Sequence, residues 1–259
     1  MTFLSYDFTV IIPTYNESEN IEKIILKIDG ILATTTIRPQ ILIVDDDSPD
    51  STPKQVRSLI ENRSTYSKLD LISRYANKGL SQSVMEGIQC SESDIIVVTD
   101  ADMSHDINKI PEMYHEIKNG ADIVIGSRYM PGGGTKNWPV FRKAVSWGAN
   151  SLARLYFPKL TDPVSGFFAI RKDIIFANSK NPRKINLDLK PCGYKILLEI
   201  LSKCEYTTVV EIPYLFSDRK TGESKLRGNT SKFIIQLVGI TFYFIKKRNN
   251  RRQESYGRH

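Results

Sequence analysis

The chain has 259 residues, of which 41% are hydrophobic and 25% charged. This composition excludes a largely disordered or fibrous chain, and the length suits one large domain or two small ones. The net charge of +7 at pH 7 favours anionic partners such as nucleic acid, a membrane surface or a phosphate-bearing substrate. The three cysteines lack metal-ligand spacing, which indicates a reducing compartment.

Neither end of the chain predicts a membrane span. The N-terminal residues lack a basic segment followed by an apolar one, so no signal peptide is predicted. The apolar stretch Phe233–Ile245 is shorter than the ~20 residues that a bilayer span needs. Basic side chains follow it, namely Lys246, Lys247, Arg248, Arg251 and Arg252. Residues 233–245 are therefore predicted to form an interfacial helix or a packed C-terminal helix.

Apolar runs and helical periodicities alternate along the first half of the chain. Strands are predicted at 8–12, 41–44, 69–73, 95–99 and 123–126, and helices at 17–33, 52–62, 81–89 and 107–119. This alternation predicts an α/β fold with a mainly parallel central sheet flanked by helices. Ligands of such sheets bind beyond the carboxyl ends of the strands.

The second half of the chain has a less regular pattern. Residues 131–134 are predicted to form a flexible connection because three of them are glycines. Helices are predicted at 139–156 and 194–202, and strands at 167–171 and 207–212. The polar residues 219–225 are predicted to form a mobile loop.

Two acidic clusters directly follow predicted strands. In the first, the carboxylates of Asp100 and Asp102 are two residues apart and could share Mg²⁺ or Mn²⁺, which prefer oxygen ligands. In the second, residues 45–50 include four aspartates that could accept hydrogen bonds from a ribose or a base. Either cluster would also fit a solvated turn. His105 and His115 lack a matching Cys or His neighbour, so zinc binding is not predicted.

Basic side chains that could bind phosphate occur at several predicted loops and strand ends. They are Arg128, Arg142, Arg219, Lys220 and Lys225. Arginine suits bidentate contacts with phosphate, whereas lysine acts as a point charge. Any one of them alone would also fit an ordinary surface position.

Several motifs together resemble the dolichol-phosphate mannose synthases, which are inverting glycosyltransferases of family 2 with a GT-A fold. The motifs lie in family order between residues 8 and about 230, at 10–17, 44–50, 77–80, 100–102, 126–129, 137–139, 142–143, 165–168, 193–195 and 222–225. One such motif would be weak evidence, whereas the ordered set is specific. The resemblance implies a GT-A catalytic domain over 1–230, with an apolar helix and basic tail over 231–259.

The resemblance also implies functions for the matching residues. Those that would bind the nucleotide sugar are Pro13, Tyr15, Glu17, Val44, Asp46, Asp100, Ala101, Asp102, Met103, Arg219 and Lys225. Asp100 and Asp102 would bind the metal, and Arg128 and Arg142 would bind the acceptor phosphate. The residues implied to be catalytic are Asp102, Arg128 and Arg142.

Two features depart from the family pattern. Some members have Gln two residues after the acid triplet, where this chain has Ser104, so a hydroxyl or a water would replace one metal ligand. Some members continue into several membrane spans, whereas this chain ends soon after residue 245. The sequence thus resembles the compact members or a truncated form.

The implied reaction transfers mannose from GDP-mannose to dolichyl or another polyprenyl phosphate, with inversion, as a step of protein glycosylation. The acceptor phosphate is already ionised near neutral pH because its second pKa is ~6, so no catalytic base is predicted. The implied partners are a membrane surface and small membrane subunits, and the implied location is the cytoplasmic face of a membrane, with the active site in the cytosol. The alternatives are a glucosyltransferase that uses UDP-glucose and a non-catalytic nucleotide-sugar-binding subunit of a membrane complex. Nucleic-acid binding ranks last, since much of the excess charge lies in the tail.

Overall fold

The computed structural model describes residues 6–62, 65–177 and 196–217. The strands are β1 (Phe8–Thr14), β2 (Pro39–Asp45), β3 (Lys68–Ser73), β4 (Ile95–Val98), β5 (Ile123–Ser127), β6 (Gly134–Lys136), β7 (Phe168–Arg171), β8 (Val209–Pro213) and β9 (Leu215–Ser217). The α-helices are α1 (Ile21–Ala33), α2 (Thr52–Asn62), α3 (Leu80–Cys90), α4 (Ile110–Lys118), α5 (Val140–Arg154), α6 (Lys172–Phe176) and α7 (Ile196–Lys203).

Seven strands form the central sheet in the order β3-β2-β1-β4-β7-β5-β8. All neighbouring strands are parallel except at β7, which runs antiparallel to both β4 and β5. The carboxyl ends of β1 to β5 and of β8 therefore meet at one edge of the sheet. The predicted α/β class and mainly parallel sheet are confirmed.

Helices cover both faces of the sheet. One core cluster combines alternate residues of β1 and β2 with the buried sides of α1, α2 and α4. The other combines the intervening strand residues with α3, α6 and α7. Burial on both faces explains why β1 and β2 are continuous apolar runs, as expected for interior parallel strands.

Most predicted elements are present, with shifted ends. The helix predicted from residue 17 begins at Ile21, because the backbone N–H groups of Asn20 and Ile21 both donate to the Glu17 carbonyl in a preceding turn. The predicted flexible connection at 131–134 ends in β6, which pairs with β9. Among the described residues, no helix is both long and apolar enough to cross a membrane. The predicted loop at 219–225 and the C-terminal helix lie outside the described residues.

Candidate active site

The loops after β1 and β2 are built around the Asp45 carboxylate. It accepts hydrogen bonds from the Thr14 hydroxyl at 2.9 Å, from the Ser48 hydroxyl at 2.6 Å and from the Ser48 backbone N–H at 2.9 Å. The Ser48 hydroxyl oxygen in turn accepts from the backbone N–H of Asn16 at 2.9 Å. This network fixes the two loops side by side at the carboxyl edge of the sheet, so Asp45 is a structural residue.

The next aspartate, Asp46, is paired with an arginine that the sequence prediction did not single out. Arg74 follows β3, is buried, and donates through Nη1 to Asp46 Oδ1 and through Nε to Glu86 at 2.7 Å. The other oxygen of Asp46 accepts from the backbone N–H of Gly79 at 2.6 Å. This carboxylate therefore also joins the loop after β2 to the loop that precedes α3.

The acid triplet lies in a tight turn after β4, at the middle of the edge. The side chain of Asp102 is buried and accepts from the Ser104 backbone N–H at 3.0 Å, whereas the Asp100 side chain is 38% exposed. Between the second acid and Ser104, Met103 has a φ of 61°, a left-handed conformation that is uncommon for a non-glycine residue and that recurs at functional turns.

The buried ring of His105 stabilises this turn through contacts with Thr99 and Asp100. Its Nδ1 accepts from the Asp100 backbone N–H at 3.2 Å and lies 3.0 Å from the Thr99 hydroxyl oxygen. A ring nitrogen that accepts a backbone hydrogen bond is unprotonated, so Nε2 carries the proton of the neutral ring and lies 3.6 Å from Asp100 Oδ2. Burial lowers the pKa of His105 to about 4, against the opposing effect of the Asp102 charge. The histidine is therefore neutral at pH 7.

An aromatic cluster connects the acid triplet to the predicted acceptor arginines. It consists of His105, Trp138, Phe167, Tyr214 and Phe216. The His105 ring stacks on Phe167 with centroids 5.0 Å apart and meets the edge of Phe216 at 5.9 Å, while Phe216 packs against Trp138 at 5.0 Å. These residues come from four separate stretches of the chain, so the cluster fixes the relative positions of loops that are distant in sequence.

Arg128 and Arg142 share the outer rings of this cluster. The guanidinium carbon of Arg142 lies 4.3 Å from the Trp138 ring centroid, and that of Arg128 lies 5.8 Å from it. Both also lie within 5.9 Å of the Phe216 ring. Aromatic faces attract guanidinium groups and allow two of them to lie close together. The structure thus brings the two predicted arginines to one place, next to the acid triplet.

A buried carboxylate fixes the first of these arginines. Asp162 accepts from Arg128 Nε at 2.7 Å, from Nη2 at 2.9 Å and from its backbone N–H at 3.1 Å. The Asp162 side chain is fully buried. Burial is the largest single influence on Arg128 and lowers its pKa, but the Coulombic attraction and hydrogen bonds from Asp162, with contributions from Tyr214 and Tyr129, together outweigh burial and raise the pKa above its ordinary value. Arg128 is therefore a fully charged group in a fixed orientation.

The other predicted site residues differ in their accessibility. Tyr15 and Glu17 follow β1 at the same edge, and Tyr15 is 42% exposed. Val44 is fully buried in the core, so its side chain is unavailable to a ligand. Pro13 and Ala101 are also buried. Arg219 and Lys225 lie outside the described residues, so their predicted contacts with the donor phosphates stay predictions.

The donor set around the triplet suits Mg²⁺ or Mn²⁺. Within residues 6–62, 65–177 and 196–217, no three His, Cys, Asp or Glu side chains are grouped to hold a metal. Two carboxylates at one turn match ions that complete their shell with water and substrate phosphate. The buried Ser104 hydroxyl also lacks a hydrogen-bond partner among the described residues, which is consistent with an additional oxygen ligand directly beside Asp102.

The sequence profile of glycosyl transferase family 2 matches residues 9–176. The chain belongs to this family. The match runs from β1 to the end of α6 and so includes the acid triplet, both arginines and Asp162. The predicted resemblance is confirmed, and the chain is a glycosyltransferase.

Three relatives within the family are dolichol-phosphate mannosyltransferases. The one from Pyrococcus furiosus is 44% identical over 225 residues, which are 86% of this chain and 60% of that protein. The one from Saccharomyces cerevisiae is 32% identical over 91% of this chain and 85% of its own length. The one from Mycosarcoma maydis is 31% identical over 90% of this chain and 78% of its own length. The chain thus spans less than two thirds of the archaeal relative and most of the two fungal ones.

Solved structures confirm the GT-A fold. Glucosyl-3-phosphoglycerate synthase from Mycobacterium tuberculosis, in complex with Mn²⁺, UDP and glucosyl-3-phosphoglycerate, superposes with a TM-score of 0.63 at 16% identity, over 91% of this chain and 78% of that one. The same synthase with Mn²⁺, UDP-glucose and phosphoglyceric acid gives a TM-score of 0.63 at 18% identity, over 91% of this chain and 80% of that one. At 16 to 18% identity this likeness establishes the fold alone. The substrates of the chain have to be inferred from its own site residues.

Proposed function

We propose that the chain transfers mannose from GDP-mannose to dolichyl phosphate or a related polyprenyl phosphate, with inversion at the anomeric carbon. The products are the β-linked mannosyl lipid phosphate and GDP. The observation that carries this proposal is the aromatic cluster, which holds the Asp100 and Asp102 carboxylates on one side and the paired guanidiniums of Arg128 and Arg142 on the other. The two carboxylates suit a metal ion bound to the donor diphosphate, and the two guanidiniums suit the phosphate monoester of the acceptor.

The donor would occupy the carboxyl edge between β1 and β4. Tyr15, Glu17 and Asp46 border this edge in the loops after β1 and β2. Asp100 and Asp102 would hold the divalent ion, with Ser104 beside them. When bound, that ion neutralises negative charge that develops on the departing diphosphate. Arg219 and Lys225, by the family resemblance, would add positive charge at the same phosphates.

The acceptor would need orientation and charge screening rather than deprotonation. A phosphate monoester has a second pKa of ~6, so its oxygen is already a nucleophile near neutral pH. Arg128 and Arg142 would bind it and offset its repulsion from the donor phosphates. His105 is unsuited to act as a general base, since it is buried and its Nδ1 already accepts a hydrogen bond. An alcohol acceptor would require such a base.

A membrane surface is the proposed location of the reaction, and α5 supplies the support. Val140, Phe141, Trp147 and Leu155 on or next to this helix are 83%, 71%, 64% and 75% exposed. Residues 123–161 contain six Lys and Arg side chains and no Asp or Glu. Exposed aromatic and aliphatic side chains with basic neighbours are typical of helices that bind the interface of an anionic bilayer. Arg142 lies on this same helix.

The remaining features of the location are also proposals. The apolar segment 233–245 and the basic residues after it would add a second membrane contact. Small membrane subunits would be further partners. The cytoplasmic face is proposed because it presents anionic lipids to this basic surface and keeps the cysteines reduced.

Turnover of the purified chain with Mg²⁺ or Mn²⁺ and a short polyprenyl phosphate tests the proposal. We expect GDP release and a mannosyl lipid product with GDP-mannose and a much lower rate with UDP-glucose. A preference for UDP-glucose would instead identify a polyprenyl-phosphate glucosyltransferase. Donor binding without turnover in any combination would contradict the proposal and identify a non-catalytic subunit.

A further inference from the structure

We propose that Asp162 and Glu211 are positioning residues for the acceptor: Glu211 fixes the 161–162 loop, and Asp162 in that loop sets the orientation in which Arg128 meets the acceptor phosphate. This inference rests on the proposed function of Arg128. Neither carboxylate was singled out in the sequence, because each is an isolated acid outside the two acidic clusters.

The first half of the argument is the geometry of the ion pair. Asp162 engages Nε and Nη2 of Arg128 at 2.7 and 2.9 Å. This two-pronged contact fixes the plane of the guanidinium as well as its position. Nη1 is the guanidinium nitrogen that Asp162 does not engage, so the contact determines which nitrogen is presented to a ligand.

The second half is the anchoring of Asp162 itself. Glu211 accepts from the backbone N–H of Thr161 at 2.7 Å, from the Thr161 hydroxyl at 3.0 Å and from the backbone N–H of Asp162 at 2.8 Å. Glu211 lies on β8 opposite Ile125 of β5, and β5 ends immediately before Arg128. The interactions therefore form a closed ring from β5 to the loop, to β8 and back, which leaves Arg128 little freedom to move.

The negative charge of Asp162 gives this closed set of interactions a function in acceptor binding as well as in local stability. Arg128 and Arg142 share the Trp138 and Phe216 rings, so their charges repel each other before any anion binds. The Asp162 carboxylate offsets one of the two charges and allows the pair to be in place in advance. A preorganised pair of donors binds an incoming phosphate without the free-energy cost of reorganisation.

Glu211→Gln tests the inference, because the amide group replaces an acceptor oxygen with a donor and removes part of the loop anchoring while the ion pair stays intact. The matched control is Asp122→Asn. Asp122 accepts from the backbone N–H groups of Thr207 and Thr208 and from the Thr207 hydroxyl at 2.7 to 3.1 Å. It thus fixes a loop in the same manner at the opposite end of β5. KM values for a short polyprenyl phosphate and for GDP-mannose are measured for each variant, together with the melting temperature.

We expect Glu211→Gln to raise the KM for the polyprenyl phosphate by about ten-fold or more, because small displacements of a binding group reduce productive geometry strongly. The KM for GDP-mannose should stay within about two-fold of the unmodified chain. Asp122→Asn should lower the melting temperature and leave both KM values unchanged. An unchanged acceptor KM in Glu211→Gln would overturn the inference, and an accompanying fall in the melting temperature would assign Glu211 a purely structural function.

A double-mutant cycle supplies the second measurement. Arg128→Lys cannot form the two-pronged contact, so combining it with Glu211→Gln should add little to the acceptor KM of Arg128→Lys alone. If the two substitutions instead raised the acceptor KM by factors that multiply in the double variant, the inference would be contradicted. If the unmodified chain neither binds nor mannosylates a polyprenyl phosphate in calorimetry and turnover, the proposed function itself fails, and this outcome is distinct from normal activity with no effect of Glu211→Gln.

Discussion

The Arg128 guanidinium and the buried Asp162 carboxylate form an ion pair through two hydrogen bonds of 2.7 and 2.9 Å. Asp162→Asn would leave a largely buried arginine without its counter-charge, so we expect it to lower the free energy of unfolding by about 3 to 5 kcal/mol. Urea denaturation measures this. Asp173→Asn, which breaks the exposed pair with Arg171, should cost at most about 1 kcal/mol. Equal losses of unfolding free energy in Asp162→Asn and Asp173→Asn would show that the charge of Asp162 does not stabilise Arg128.

Asp102 is expected to be essential for metal-dependent transfer. Asp102→Ala should reduce Mn²⁺ affinity in an electron paramagnetic resonance titration by about ten-fold or more and abolish turnover, since two carboxylates supply the acidic ligands. The circular dichroism spectrum should be unchanged. Asp106→Ala is the control, because this nearby acid accepts from Asn108 at the surface and should keep its metal affinity. Full activity of Asp102→Ala would refute the metal assignment.

Arg142 is expected to act on the acceptor. Arg142→Ala should raise the KM for a polyprenyl phosphate by about ten- to hundred-fold, the usual effect of losing a charge-assisted contact, and change donor affinity little. Lys143→Ala removes the neighbouring exposed charge and serves as the control. A loss confined to GDP-mannose affinity would reassign Arg142 to the donor side.

Stability should depend on the protonation of His105. Its pKa is about 4 in the folded chain and ~6.5 in the unfolded chain, so the unfolded state binds more protons between these values. The associated stabilisation is complete above pH 6.5 and is lost as the pH falls towards 4, by about 3 kcal/mol in total. Urea denaturation from pH 4 to 7 measures the slope. His105→Gln should flatten it, whereas His115→Gln, at an exposed position of α4, should retain it. The same slope in both variants would exclude His105 as its source.

The exposed face of α5 is expected to bind anionic bilayers. Replacing both Phe141 and Trp147 by Ser should weaken sedimentation with phosphatidylglycerol vesicles by at least about ten-fold. Each aromatic side chain that enters the bilayer interface contributes about 1.5 to 3 kcal/mol to binding. Tyr75→Ser removes a 72% exposed aromatic elsewhere and should have no effect. Unchanged sedimentation of the double variant would leave the C-terminal segment, or a protein partner of α5, as the explanation for the exposed face.

The fold could be predicted because its strands are apolar runs bounded by polar turns. β2 and β4 both end in acidic clusters, and burial on both faces makes the apolar signal of β1, β2 and β4 strong. β9, a strand of three residues, and the antiparallel placement of β7 could not be predicted. Both depend on pairing with distant segments, since Val98 pairs with Phe168 across 69 intervening residues.

The candidate site was predictable where several residues form a motif and unpredictable where one residue acts alone. Asp100, Asp102, Arg128 and Arg142 belong to recurring motifs. Arg74, Asp162 and Glu211 are single charges whose importance comes from burial and from partners far along the chain. His105 was considered only as a zinc ligand. Its packing against Phe167 and its bond to the Asp100 backbone exist only once the loops are assembled.

The position of β7 has a consequence for biosynthesis. β4 is complete at residue 98, but its partner on the far side begins at residue 168. During synthesis the first four strands therefore present an open edge until that partner leaves the ribosome. Unpaired edges of apolar sheets are sites of aggregation. A chain cut short between residues 98 and 168 would retain β1 to β4, expose this edge and require a chaperone or a solubilising fusion to stay in solution.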